Sequence, residues 1–512
     1  MNPSAIADAR TSFYLNLVGG DVNFYNDYLQ LDLPQRPWQK DFSFKKEYLR
    51  ERLNGAPKAG SASAEVHLPS LLVALGPWAA LAFTNRGRAF VQASNVSESL
   101  ARLARYGLGD ADRLGLANQL LEDNRFNLHV DSYHEFALTY ARTFAPNPEH
   151  FFKGGLTLKY LVGLGGGYVL NEGTGYQVYG RDSLQLRSPN VSYGYTDPQA
   201  YNQDGHGFGA RYGSQRLGQG YGADLGFTYE WRPQHAQYRY RMDGAEQDDP
   251  AQNKYRLRLG VALTDLGALR YANERYVHQA ALANTRTVQL GRVDTLTFNP
   301  LSSVGPTLER LVGLRSQARE FTSYLPAALR LTADYRLANH LYAGVLWTQN
   351  LLPARTIGSR TPSALALTPR LEFSRAEVAV PLIWANNYQN FQVGAMVRLG
   401  PLFVGSDNLG GIFGLTTATG ANFYFGWALA LHRHRRKDRD GDQVSDKYDK
   451  CPKQKGPWEL KGCPAPAPPA ADAPPLSSAP ADAPASTAPA PEAPAPEAPA
   501  PPAAPAPEAP RP

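Results

Sequence analysis

The stretch Asn422-Phe423-Tyr424-Phe425-Gly426-Trp427-Ala428-Leu429-Ala430-Leu431 changes character at every step. In an extended chain successive side chains point to opposite faces. Phe423, Phe425, Trp427, Leu429 and Leu431 therefore share one face, and Asn422, Tyr424, Gly426, Ala428 and Ala430 share the other. Alternation of this length matches a tilted strand crossing a bilayer, about 9–11 residues. It exceeds the usual strand of a soluble sandwich, about 5–6 residues.

The same pattern recurs upstream. In Lys254–Thr264, Tyr255, Leu257, Leu259, Val261 and Leu263 oppose Lys254, Arg256, Arg258, Gly260, Ala262 and Thr264. Three basic residues on one face would be costly in a dry core and are normal in a wet lumen. In Asp224–Arg232, Leu225, Phe227, Tyr229 and Trp231 oppose Asp224, Gly226, Thr228, Glu230 and Arg232. Aromatic residues near the strand end suit the girdle of a membrane interface. Thr157–Leu164 and Gln392–Leu399 are further strands, with Lys159 and Arg398 as lumen charges. Leu68–Phe83 is uncharged, but Pro69 and Gly76-Pro77 break it into two strands joined by a tight turn.

Composition agrees with this reading. The chain has 512 residues and a net charge of +6, with 19% charged and 11% aromatic residues. No apolar run reaches the ~18 residues of a membrane helix. The mean hydropathy of -0.40 does not argue against a barrel, because alternating strands average out to a hydrophilic value. Two cysteines exclude a disulfide-rich scaffold and a four-cysteine zinc site. The small charge excess is no nucleic-acid signature, and we expect no nucleic-acid partner. No signal peptide is visible at Met1-Asn2-Pro3-Ser4-Ala5. For a barrel bound for an outer membrane, a leader is expected to have preceded the sequence as given.

Between the strands, Asp182–Gly222 is rich in Gly, Tyr, Asn and Gln and reads as a large outer loop. Asn95–Leu121 reads as helix, with Asn95 as cap, Glu98 completing a capping box, and Leu100, Leu103 and Leu114 at helical spacing. Pro306–Glu320 is a second helical segment. Either would serve as a loop or as a plug in the lumen. At about 30 residues per strand with its connection, residues 1–436 predict a transmembrane antiparallel β-barrel, all-β, of roughly 14 strands. No nucleophile elbow, zinc-protease motif or P-loop is present, and Ser132 beside His134 is the one local hint of a hydrolase. The expectation is no enzyme.

Several stretches resemble one family of Gram-negative outer-membrane proteins. They are Asn2-Pro3-Ser4-Ala5-Ile6-Ala7-Asp8, Leu156-Thr157-Leu158-Lys159-Tyr160-Leu161, Leu263-Thr264-Asp265-Leu266-Gly267, and Arg398-Leu399-Gly400-Pro401 followed by Gly405-Ser406-Asp407-Asn408-Leu409. Residues 1 to about 431 are similar to a barrel family of unknown function, DUF5723, related to long-chain fatty-acid transporters and to barrel subunits of type IX secretion. The resemblance implies a 14-stranded barrel, with or without an internal plug.

Residues 437–464 form a separate charged module. Asp438, Asp440, Asp442, Asp446 and Asp449 stand at loop positions 1, 3, 5, 9 and 12, and Val444 at position 7 offers a backbone carbonyl. Calcium takes about six to eight oxygens, and this spacing wraps oxygens around one point. Gln443 stands at position 6, where Gly is usual, and Asp449 at position 12, where an EF-hand has Glu. Cys451 and Cys463 form an even pair, expected to join as a disulfide in an oxidising periplasm. The whole resembles a thrombospondin type 3 repeat, of the kind that follows the barrel in many OmpA-like proteins; Asp at the last position is usual in that repeat.

The basic run Arg433, Arg435, Arg436 and Lys437 suits a membrane interface. Beyond the module, residues 465–512 are a Pro/Ala tail; nineteen of the 41 prolines lie from Pro464 onward. Such a segment lacks the apolar groups to offset ordering entropy and is expected to remain disordered. At about 3.1 Å per residue it spans on the order of 150 Å. The expected function is a channel or ligand-uptake barrel in outer-membrane lipid, tuned by the lumen charges Lys254, Arg256, Arg258 and Arg398. The alternative is an envelope anchor or assembly scaffold, whose periplasmic tail meets peptidoglycan or periplasmic and secretion proteins.

Overall fold

The computed structural model describes residues 2–465 except 33–38, 41, 42, 44, 123, 145, 146, 180–182, 198, 199, 201–211, 214, 215, 284–287, 291–316, 412 and 414–418. The strand that decided the reading runs from Gly420 to His432, with Phe423, Phe425, Trp427, Leu429 and Leu431 exposed on one side. It pairs antiparallel with Thr11–Asn26 (Leu15 opposite Leu429, Phe24 opposite Ala421), and Thr11–Asn26 pairs on its other edge with Lys58–His67 and Ser70–Ala74. First and last strands thus join, and no edge is left open.

Twenty segments make up this sheet. Several are collinear halves of one strand, as where Asn190–Thr196 and Gly218–Trp231 both pair with His150–Asn171. Counted as continuous strands, they close a 14-strand antiparallel barrel. Its polarity is the reverse of a soluble protein. Leu138, Leu158 and Phe227 are exposed on the outer wall, whereas Asp224, Glu230, Arg232, Glu135 and Lys159 are buried inside. No helix of the described residues is long and apolar enough to cross a membrane.

The two rims differ. At one, connections are short, as at 75–78, 339–340, 373–375 and 400–401; at the other they are long, as at 97–126 and 351–363. The exception at the short-turn rim is 232–256, which carries a hairpin of Arg239–Met242 and Ala245–Asp248.

Four expectations change. The Lys254–Thr264 strand begins only at Leu257 and runs to Ala272. Tyr255, assigned to the outer face, is buried instead, its hydroxyl donating to Asp334 (2.7 Å). The polar segment 182–222 is not all loop: it holds Ser183–Arg187, the barrel strand Asn190–Thr196 and the start of Gly218–Trp231. Of the Asn95–Leu121 helix only Glu98–Tyr106 forms. Its cap is Ser97, whose hydroxyl accepts from Leu100 N, while Asn95 sits at φ 57° outside the helix. Glu98 accepts from the Asn54 and Gly55 amides and pairs with Lys58 (2.6 Å), tying the helix to a neighbouring loop. That helix packs through Leu103 on Tyr176 and Val178 at the long-loop rim. The helical segment from Pro306 lies outside the described residues as far as residue 316, and Glu320 begins a strand.

Candidate functional site

The lumen is occupied. At its short-turn end the N-terminal segment enters and makes a 3-10 turn, Pro3–Ile6, capped by the Asn2 side chain. Asn2 Nδ2 donates to the Phe227 carbonyl (3.0 Å), and the Ser4 hydroxyl meets Thr228 Oγ1 (2.7 Å). Gly226 permits this approach, since a Cβ there would lie 2.0 Å from Asn2 Oδ1. The plug is therefore this turn, placed in the lumen by the opening Asn-Pro-Ser-Ala residues. Beside it, Glu230 is ringed by Lys153 (2.8 Å), Arg258 (3.2 Å) and Arg232, and Arg232 also reaches Asp8 (2.8 Å).

Further in, charges from six strands form a web. Arg88 bonds Glu65 (2.9 Å) and Asp265 (3.0 Å); Arg86 bonds Glu135 (2.8 Å); Lys159 bonds Asp224 and Asp265 (both 2.6 Å). The Leu263–Gly267 motif explains its own Asp. The chain bulges opposite Ala223 and Leu225, Asp265 takes φ 57°, and its amide donates to Asp224 (2.6 Å). The bulge re-aims the carboxylate at Arg88 and Lys159. Buried charges persist when each is paired and hydrogen-bonded, and here each cation meets carboxylates from other strands. Beyond the web, Phe90, Tyr133, Leu161, Tyr168, Leu269, Tyr271 and Phe321 pack as an apolar core inside the barrel.

The expected lumen charges divide. Arg258 lies in the lumen on Glu230, its guanidinium 3.9 Å from the Tyr255 ring centroid. Arg398 bonds Glu377 (3.2 Å), and Arg256 donates to the Tyr335 hydroxyl (3.0 Å). Lys254 precedes the strand and pairs with Asp248 (3.3 Å) in the long turn. Web members Glu65, Arg86, Arg88, Glu135 and Asp265 were missed as a set; their signal was a charge on the inner face of each strand.

No hydrolase centre forms from the residues suspected. His134 bonds Tyr212 (2.5 Å) and Asn85, and no hydrogen bond joins it to Ser132 among the described residues. A buried group of Ser323, His129 and Asp131 exists, but Ser323 donates directly to Asp131 (2.6 Å). Ser323 Oγ also meets His129 Nε2 (3.2 Å), but His129 Nδ1, the atom an orienting carboxylate would hold in a triad, has no partner among the described residues.

Outside the barrel, Asp438, Asp440 and Asp442 bring carboxylate oxygens within 4.8 Å of one another. Asp438 accepts from the Gly441 and Gln443 amides, Asp442 from Val444, and Asp449 from Cys451. Asp446 accepts from Arg439 N (2.9 Å). Gln443 adopts φ 67°, the left-handed backbone its position demands. Among the described residues, both oxygens of Asp440 and Oδ2 of Asp449 are enclosed with no hydrogen bond of normal geometry. Burial, then the Asp442 and Asp449 carboxylates, push the Asp440 pKa above its ordinary value. Enclosed, mutually repelling oxygens fit a hard cation. Cys451 and Cys463 are joined as a disulfide behind the loop.

The three arginines of the basic run contact protein groups, while the Lys437 side chain is exposed. Arg433 donates to the Gly76 carbonyl (2.7 Å), Arg435 to Asp249 (2.9 Å) and Arg436 to Asp243, while the Lys437 carbonyl accepts from Asp446 N.

No curated protein matches this chain. Solved barrels are similar in fold. A FadL homologue of Pseudomonas aeruginosa aligns with a TM-score of 0.34 and 11% identity, covering 84% of this chain and 93% of that one. The translocator domain of the autotransporter NalP of Neisseria meningitidis gives 0.29 and 8%, covering 81% and 88%. The Pseudomonas putida toluene transporter TodX gives 0.29 and 8%, covering 83% and 91%. At the level of sequence, residues 3–407 match the model of a family of unknown function, and with that share of its length the chain belongs to the DUF5723 family.

Proposed function

We propose that this protein is a closed barrel of a Gram-negative outer membrane that anchors a calcium-loaded module and its tail on the periplasmic side. One observation carries the reading. The Glu65–Arg88–Asp265–Lys159 web ties neighbouring strands together on the inner face of the barrel, with the Pro3–Ile6 turn on one side and a packed aromatic core on the other. The channel reading requires those buried pairs to part, and parting a buried pair costs about 3–5 kcal/mol. The short-turn rim is taken as periplasmic, since such barrels carry their long loops outside.

At that rim the module leaves the last strand. Asp438, Asp440, Asp442 and Asp449, with the Val444 carbonyl, would hold calcium, which would supply the counter-charge at the point where the carboxylates gather. Residues 465–512 then extend toward peptidoglycan or a periplasmic or secretion protein. The apolar outer wall meets lipid.

Planar-bilayer recording of the purified full-length protein tests the reading. A heat-modifiable, folded barrel that shows no steady conductance is the expected result. A stable open current from the same preparation restores the channel.

A further inference from the structure

The long turn at the short-turn rim has a use that the barrel wall does not require. Its hairpin, Arg239–Met242 and Ala245–Asp248, sits against the module. Asp243 N donates to the Gln443 carbonyl (2.8 Å). The Asp243 carboxylate accepts from Ser445 N (2.7 Å) and Ser445 Oγ (2.9 Å), and takes the Arg436 guanidinium as well. Next to it, Gly244 at φ 76° lies under the Trp458 indole, where a Cβ would fall 2.6 Å from Trp458 Cδ1. Arg435 stacks over the Tyr240 ring at 5.3 Å and bonds Asp249.

The contacts interleave with the cation ligands. Asp438, Asp440 and Asp442, at loop positions 1, 3 and 5, gather on one point. Gln443 and Ser445, at positions 6 and 8, turn to the hairpin. The Gln443 amide donates to Asp438 (2.9 Å) while its carbonyl accepts from Asp243, so one peptide-linked residue joins the carboxylate cluster to the hairpin. A loop forced apart by its own unpartnered carboxylates cannot present Gln443 and Ser445 in this register.

We infer that the 239–248 hairpin is the receptor for the 437–464 module, and that cation binding in the loop and docking on the hairpin strengthen each other. This rests on the calcium reading above and adds to it a coupling between two sites. Linkage makes the coupling reciprocal: whatever factor calcium adds to docking, docking adds to calcium affinity, typically about 5–150-fold.

The experiment uses the full chain in detergent micelles with calcium itself as the probe. Calorimetric titration compares the native protein with Asp243→Ala, and both are checked for heat-modifiable mobility. In parallel, a photoreactive residue at Ala245 reports capture of the module, with calcium and with a chelator. Expected are calcium affinity about tenfold weaker in Asp243→Ala and a several-fold loss of capture on chelation. Equal affinities in the two proteins, or capture indifferent to the chelator, overturn the coupling while leaving the calcium site standing. Absence of any binding heat in the native protein overturns the site and the coupling together.

Discussion

Carboxylates gather in two regions of this molecule and are balanced in different ways. In the lumen, Glu65, Glu135, Asp224 and Asp265 meet Arg86, Arg88 and Lys159 projected from neighbouring strands. In the module, Asp438, Asp440 and Asp442 converge within 4.8 Å, and among the described residues both oxygens of Asp440 lack a hydrogen bond of normal geometry. The wall supplies its own counter-charges and fixes them in a closed sheet; the module, in the function proposed above, takes its counter-charge from solution. The lumen arrangement is thus self-contained, and the proposed calcium site would make the module sensitive to what dissolves around it.

The largest test removes a counter-charge from the lumen. Arg88→Met strips Asp265 and Glu65 of a shared partner in a buried site and should cost about 3–5 kcal/mol. The check is the urea concentration at which the heat-modifiable form disappears; an unchanged midpoint would mean the web is hydrated and the lumen open. A smaller effect is expected from Cys451→Ser with Cys463→Ser, which removes a short cross-link and about 2–3 kcal/mol from the module alone. Limited proteolysis should then cut within 437–464 while the barrel resists. Cleavage spreading into the barrel would show that the two regions are one cooperative unit.

The smallest test is acid. Burial works against the Asp243 carboxylate, but hydrogen bonds from Ser445 and Arg436 outweigh it and hold its pKa below the ordinary value. A folded-state pKa below the unfolded one adds stability above the unfolded value, about 3.9 for Asp. That contribution is lost as pH falls through the depressed value. Capture of the module by a photoreactive residue at Ala245 should therefore hold from neutral pH to about 5 and decline below about 4, with the barrel intact. Loss of capture already near pH 6 would point to a group other than this carboxylate.

Much of the wall was legible because it obeys a local rule. Phe423 to Leu431 lie outward as their period demands, and Asp224, Thr228 and Glu230 lie inward opposite Leu225 and Phe227. The polar segment 182–222 misled because Tyr193 and Tyr195 serve a strand whose partners are Val169 and Gly167 on one side and Ala280 and His278 on the other. Nothing within that segment announces those partners. Asn95 looked like a helix cap by spacing, yet Ser97 took the role, and Glu98 spent its carboxylate on Lys58 and two loop amides. In the module, the ligand spacing was readable along the chain. The hairpin that clasps it was not, since Asp243 stands about 200 residues from Ser445.

Thr11–Asn26 and Gly420–His432 lie edge to edge, so the wall has a seam made from its earliest and latest strands. No part of the cylinder can be completed until synthesis has delivered the last of it. Contacts this distant along the chain form slowly, and until they form the strands at the two sides of the seam each keep an unpaired edge. Closure of the cylinder therefore waits on the meeting of residues about 400 positions apart along the chain.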